Sequence, residues 1–343
     1  MKSCSIVTIF LEICLLIFGA HAKAQGKQNN NAPIIVASTT IIADIAKNIA
    51  GNDVNISCLL PVGSDPHLHD PTPQDVRLVR SATLILLNGL TLEGWMLELI
   101  KNSGSTAKIV TVSDGVDAIR SNQFHNATDP HAWMDPMNGL VYAKNIRRAF
   151  IELLPEKRSQ IEENHKIYEA QLLDLDAYIA KQINKLPIGK RILITSHDAF
   201  HYYGRQYHIT LESVLGTSTE AEVQTSDVIR IYRLLKEHQI PAIFIESTIN
   251  PKLLHQIADD NHVKIGGKLF ADSLSDEKGL ASTYIKMLKY NTDQIVTALS
   301  GVYTSFESNK EHNFQKFILS SLAALMIIAF GTIFYFISRQ IRL

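Results

Sequence analysis

Cysteine is nearly missing from this sequence. Three occur in 343 residues, and Cys4 and Cys14 fall in an N-terminal leader, so Cys58 is the one thiol of the mature body. One thiol closes no intrachain disulfide, which excludes a disulfide-stapled extracellular module. Net charge is missing too: Lys+Arg 33 against Asp+Glu 34 leaves −1 and no electrostatic footprint for nucleic acid. No His-Glu-x-x-His occurs, which removes the zinc-hydrolase helix. No Gly-x-Ser-x-Gly elbow occurs either, so a serine hydrolase has no nucleophile turn.

What is present begins at the two ends. Lys2, the apolar run 6–18 and small-x-small sites ending at Ala22 and Ala24 predict a signal peptide over 1–24. Leu11-Glu12-Ile13 before Cys14 are too large and too charged for a lipobox. Residues 25–32 read as a polar spacer. Residues 317–337 carry no charge, long enough at about 1.5 Å per residue to cross a hydrocarbon core of about 30 Å. A transmembrane helix is predicted there, with the body outside and a short tail inside. The expected location is the periplasmic or extracellular face of a bacterial cytoplasmic membrane.

Between the ends, short apolar runs alternate with helical stretches. Strands are predicted at 34–37, 54–60, 84–88 and 108–112, with helices at 41–50, 74–81 and 92–102. The pattern returns with strands at 191–195, 209–214, 242–246 and 263–265 and helices at 225–238, 251–260 and 280–299. Alternation of this kind predicts α/β lobes with parallel sheets, ligands sitting at the C-terminal strand ends. The lobes are expected at 33–154 and 188–305. Residues 156–186 contain neither glycine nor proline, and Pro155 suits a first helical turn. A linker helix over 155–187, about 45 Å long, is therefore expected, with Ile161, Tyr168, Leu172, Leu175 and Ile179 on its apolar face.

Two tripeptides carry the chemistry: Asp65-Pro66-His67 and Asp129-Pro130-His131. Two further polar elements follow apolar runs, Ser196-His197-Asp198 and Ala271-Asp272-Ser273. His67, His131, His197 and Asp272 make a complete four-coordinate set for a divalent transition metal. Proline holds the residue before it extended, so both tripeptides aim their histidines alike. His69 is a weaker ligand candidate, and His125 reads as solvent-facing. Asp272 taken alone also reads as a helix N-cap. Glu246, at a strand end, reads as a second-layer partner or an ion-pair member. Ser196-His197-Asp198 is no catalytic triad, because adjacent residues point in different directions.

Taken in order, these motifs resemble the TroA-like family of metal-binding solute receptors of ABC importers. The resemblance also takes in Ser38-Thr39, Ala132-Trp133-Met134-Asp135-Pro136, Ala199-Phe200 and residues 216–222, and covers nearly the whole body. It implies two Rossmann-like lobes bridged by a long backbone helix, with Zn²⁺ or Mn²⁺ held between them by His67, His131, His197 and Asp272. It implies no enzyme activity, and delivery of the ion to ABC permease subunits in the membrane. Three departures stand out. The His/Asp-rich loop usual in zinc members is reduced to 121–128, with His125 alone. His197 stands where many manganese members have glutamate. A C-terminal transmembrane helix is foreign to the family. A shell of three nitrogens and one oxygen favours zinc over manganese. The competing readings are a membrane-tethered adhesin or metal sensor and, last, a secreted zinc hydrolase.

Overall fold

The computed structural model describes residues 32–51, 54–120, 128–220 and 222–301. The described residues from Ile34 onward cluster as one compact unit. The signal peptide expected at 1–24, nearly all of the spacer at 25–32 and the transmembrane helix expected at 317–337 lie outside the described residues. Among the described residues no helix is long and apolar enough to cross a membrane, so they lend the anchor no support.

The N-terminal half is a four-stranded parallel sheet in the order β2-β1-β3-β4. Its strands are β1 (Ile34–Ala37), β2 (Asn55–Cys58), β3 (Leu84–Leu87) and β4 (Lys108–Thr111). The central strands read Ile-Ile-Val-Ala and Leu-Ile-Leu-Leu and are buried almost throughout, as a sheet covered on both faces requires. Parallel neighbours need crossovers, supplied by α1 (Thr40–Ala50), α2 (Pro73–Ser81) and α3 (Met96–Ser103). Thr39 caps α1 by accepting the Ile42 N–H, while Thr72 and Asp75 form a capping box at the start of α2, with Pro73 in its first turn. The strands all point one way, so Ser38, the 61–67 loop and Asn88 emerge at the same edge of the sheet.

Helix α3 corrects the expected start at 92. Gly89, Leu90 and Thr91 take positive φ (80°, 50° and 69°), and the turn continues through 95, with Met96 N–H bonding the Glu93 carbonyl, before the helix starts at Met96. The Glu93 side chain then reaches back to cap the end of β3.

The chain next runs through α4 (Pro136–Leu153) and a 3₁₀ turn at Pro155–Lys157 into α5 (Arg158–Ile183). With 26 residues, α5 is about 39 Å long. Its buried stripe holds the five expected residues together with His165 and Ile183. It packs on α4, on α1 and on the last of the described helices, α9 (Tyr284–Leu299). One apolar core therefore runs from Ile35 in β1 through α5 to Leu299.

The C-terminal half pairs β5 (Ile192–Thr195) with β6 (Thr210–Ser213) and β7 (Ala242–Glu246) with β8 (Lys264–Leu269), both parallel. β5 lies beside β7. Their helices are α6 (His201–Tyr207), α7 (Thr225–His238), α8 (Lys252–Asn261) and α9. The strand expected to stop at 265 continues to Leu269. A register shift at Ile243/Phe244 absorbs one residue, and a Cβ at Gly266 would meet Phe244 at 2.7 Å, so the glycine permits close packing rather than ending the strand. The helix expected from 280 begins at Tyr284, because Thr283 caps it and the residues before it form a turn closed by Ser275 N–H to the Ala281 carbonyl. The short helix α6 was not expected.

Candidate metal centre

Each Asp-Pro-His tripeptide folds into the same local device. Asp65 Oδ1 accepts the His67 N–H at 2.9 Å, and Asp129 Oδ1 accepts the His131 N–H at 2.9 Å. The aspartate closes an Asx turn and the proline between stiffens it. The intervening carbonyls are caught as well. Trp95 Nε1 donates to Pro66 O at 2.9 Å, and Asn88 Nδ2 donates to Pro130 O at 2.9 Å. Both donors come from the segment following β3. Glu93 organises that segment by accepting from Ser38 Oγ and from the N–H groups of Asn88 and Gly89.

His131 is fully buried, with Nδ1 2.8 Å from Asp129 Oδ1. This fixes the ring so that Nε2 faces inward. His197, beyond the end of β5, is braced by Glu246 from the end of β7. Its N–H donates to Oε1 at 2.8 Å, and Nδ1 lies 2.7 Å from Oε2. The ring contact is off hydrogen-bond geometry and acts as an ion pair. Asp272 follows β8 and accepts from Thr248 Oγ1 at 3.0 Å through Oδ2. Trp133 Nε1 donates to the Ala271 carbonyl at 2.8 Å, tying this segment to the turn after His131.

One ligand atom from each of His67, His131, His197 and Asp272 lies within 4.8 Å of every other. His131 Nε2 is 3.2 Å from His67 Nε2 and 3.3 Å from His197 Nε2. Asp272 Oδ1 is 3.4 Å from His131 Nε2, and Oδ2 is 3.5 Å from His197 Nε2. A tetrahedral ion with bonds of about 2.0–2.1 Å requires ligand–ligand edges of about 3.3–3.4 Å. Asp272 Oδ1 is buried and has no hydrogen-bond partner.

Without an ion, protons carry the positive charge of the cluster. Burial disfavours charge on His131, but the bond to Asp129 and the negative charge of the Asp272 carboxylate 3.4 Å away outweigh it and raise its pKa to about 9. Burial opposes charge on His197 too, and Glu246 and Asp272 overcome it, holding that ring well above its ordinary value. His67 moves the other way, down to about 3, through burial and then repulsion from His131. Asp272 is kept ionised well below the usual carboxylate range: burial works against it, and the two neighbouring imidazoles prevail.

The other sequence candidates separate cleanly. His69 places Nε2 3.2 Å from Asp75 Oδ2 and its ring against Trp95, outside the cluster. Glu246 stands behind His197 and forms an ion pair with its ring, outside the cluster of four. His125 lies outside the described residues. Asp198 meets His201 Nε2 at 3.1 Å, and Ser196 Oγ has no hydrogen-bond partner, so the adjacent triplet forms no relay. Asp129 went unrecognised as the brace of His131, though its place in a repeated tripeptide was a usable signal. Asn88 and Trp95 carried none. A cavity of about 960 Å³ opens beside His67, lined also by His69, Trp95, Thr217 and Glu220.

Fold and cluster together define an α/β binding protein with a buried centre of three imidazoles and a carboxylate at the strand ends. The family profile described as "ZnuA: Zinc-uptake complex component A periplasmic" matches residues 35–298, and the chain belongs to this family of ABC-transporter substrate-binding proteins, which are not enzymes. The chain is 32% identical over 308 residues to the metal ABC transporter substrate-binding lipoprotein SsaB of Streptococcus sanguinis, covering 88% of this chain and 100% of that one. It is 31% identical over 304 residues to the manganese ABC transporter substrate-binding lipoprotein PsaA of Streptococcus pneumoniae serotype 4, covering 86% and 98%. Among solved structures, the periplasmic zinc-binding protein TroA of Treponema pallidum aligns with TM-score 0.75 and 34% identity over 78% of this chain and 99% of that one. The Mn-bound periplasmic metal-binding protein of Candidatus Liberibacter asiaticus aligns with TM-score 0.72 and 30% identity over the same shares.

Proposed function

We propose that His67, His131, His197 and Asp272 bind one divalent transition-metal ion, zinc ahead of manganese, and that the protein hands it to the permease of an ABC importer. The observation that carries this reading is the buried, unpartnered Asp272 Oδ1 facing imidazole nitrogens at tetrahedral-edge distances. Each of these atoms turns a lone pair, or a proton in its place, toward one point, and a cation at that point satisfies all four.

Three nitrogens, one oxygen and near-tetrahedral edges support zinc, as does its greater affinity for such donors. Manganese is the second reading. Both Asp272 oxygens face the cluster, which would let the carboxylate bind through two atoms, and PsaA is named for manganese.

In this proposal the lobes are 33–154 and 188–305 with 155–187 as connector, and the ion joins them. The protein works at the outer face of the cytoplasmic membrane. The tether at 317–337 rests on hydropathy alone. Elemental analysis of protein from its native host, with Zn²⁺/Mn²⁺ competition in vitro, tests the metal. One ion per chain is expected, with most affinity lost in His131→Ala. Stoichiometric metal retained by that variant would refute the ligand set.

A further inference from the structure

The four clustered side chains are held unequally. His131, His197 and Asp272 are fully buried and braced by Asp129, Glu246 and Thr248 within the protein interior. His67 is the partly exposed member, lies on the cavity wall and is carried by the 61–67 loop. That loop is fastened from both halves of the chain. From its own half come the Asx turn at Asp65 and the Trp95 bond to Pro66 O. From the C-terminal half come Thr219 Oγ1, which donates to Asp65 Oδ2 at 2.7 Å, and Ser273 Oγ, which accepts the Gly63 N–H at 2.8 Å.

Asp65 is thus used twice. One oxygen sets the backbone of His67, and the other receives a hydroxyl from residues 216–220, across the cavity mouth. A hydroxyl on a carboxylate at this distance is a strong, charge-assisted bond. Breaking it frees the carboxylate to rotate, and rotation undoes the turn that aims His67. Ser273 cannot substitute, since its bond reaches only Gly63, at the far end of the loop.

We infer that Thr219 is a positioning residue for His67, acting through Asp65, and that its hydroxyl limits the rate at which the bound ion leaves. The inference rests on the metal-ligand reading proposed above. The bond spans the cleft, so it exists only while the two sides are together, and its loss speeds release without slowing entry.

The test uses the full chain loaded with Zn²⁺ and compares wild type, Thr219→Val and Thr219→Ser. Release is followed by stopped flow into excess chelator, and entry by mixing ion-free protein with Zn²⁺. Valine keeps the shape and removes the hydroxyl, while serine keeps the hydroxyl. The expected result is release about tenfold faster in Thr219→Val, entry within about twofold of wild type, and Thr219→Ser restored to near wild type. Melting of the ion-free proteins should be alike. Release in Thr219→Val at the wild-type rate overturns the inference. So does Thr219→Ser releasing as fast as Thr219→Val, which assigns the effect to the methyl group, or a fall in ion-free melting temperature that tracks the release rate. Wild type that retains no Zn²⁺ defeats the metal reading and this inference together. Wild type that binds, with an unaltered Thr219→Val, defeats the inference alone.

Discussion

Replacing Glu246 with glutamine keeps the shape of a buried side chain and removes its charge where it meets His197. Glu246 is buried, and its carboxylate touches His197 twice, at the backbone N–H (2.8 Å) and at Nδ1 (2.7 Å). Two unit charges about 4 Å apart at an effective dielectric near 20 interact by about 4 kcal/mol. That attraction acts in both states, on the protonated ring when the ion is absent and on the ring–metal unit when it is bound. Much of it therefore cancels in the binding constant. What survives is the loss of ring basicity and orientation, about 10–100-fold in metal affinity, or roughly 1.4–2.8 kcal/mol. The sign with pH follows. Burial opposes protonation of His197, but Glu246 and Asp272 raise its pKa well above the ordinary value, so the wild type expels a proton to bind metal. Glu246→Gln lowers that pKa and reduces the proton competition. The affinity ratio between wild type and variant is expected to be largest at pH 8 and to shrink at pH 6. Competition for Zn²⁺ against a chromophoric chelator at both pH values reads it. Affinity within threefold of wild type at pH 8, or a larger deficit at pH 6, would refute the reasoning.

Wild-type Zn²⁺ affinity should rise by about tenfold per pH unit for each proton expelled, up to pH 9 where His131 loses its own; a flat titration across pH 6–9 contradicts the protonated cluster. Because the folded-state pKa of His131 is raised, its contribution to ion-free stability is complete below about 6.5 and fades as pH passes about 9. Ion-free protein should therefore melt lower at pH 9.5 than at pH 7, read by differential scanning calorimetry. Gly139→Ala would place a Cβ 2.8 Å from the hydroxyl of Tyr284, a buried ring whose hydroxyl bonds the Trp133 carbonyl. With no room to yield, the substitution should cost about 1–3 kcal/mol, lowering the melting temperature by roughly 2–4 °C per kcal/mol. His69→Ala should leave Zn²⁺ affinity within threefold, since His69 pairs with Asp75; a tenfold loss would make it a ligand.

Much of this architecture is legible residue by residue. The runs at 34–37 and 242–246 read as strands because parallel strands buried on both faces are continuously apolar. The face of α5 was readable from helical spacing, since Ile161 through Ile179 all point into one core. Other boundaries were not. The start of α3 is delayed to Met96 by turns through residues 90–95, and neither Leu90 nor Thr91 is a residue type that announces the left-handed backbone with which they begin. The strand expected at 263–265 runs instead over Lys264–Leu269, since Gly266 leaves room for Phe244 and the register shift there keeps the pairing going. For the centre, His67, His131 and His197 could be picked out from the repeated tripeptide and their places after strands.

By itself, the sequence determined the donor chemistry and the order in which it is delivered. Imidazoles and a carboxylate stand after apolar strands, and parallel topology brings all such ends to one side. What only tertiary structure decided is how those donors are held. Asp272 taken alone reads better as an N-cap than as a ligand, and only the fold sets its Oδ1 3.4 Å from His131 Nε2 and its Oδ2 3.5 Å from His197 Nε2. Glu246 became the brace of His197 because β7 lies beside β5. Thr219 reaches Asp65 across 154 residues of chain, and Trp95 and Asn88 hold backbone carbonyls. A carbonyl is the same at every residue, so no sequence pattern marks the one that is caught, and contacts of that kind exist only once the chain has folded.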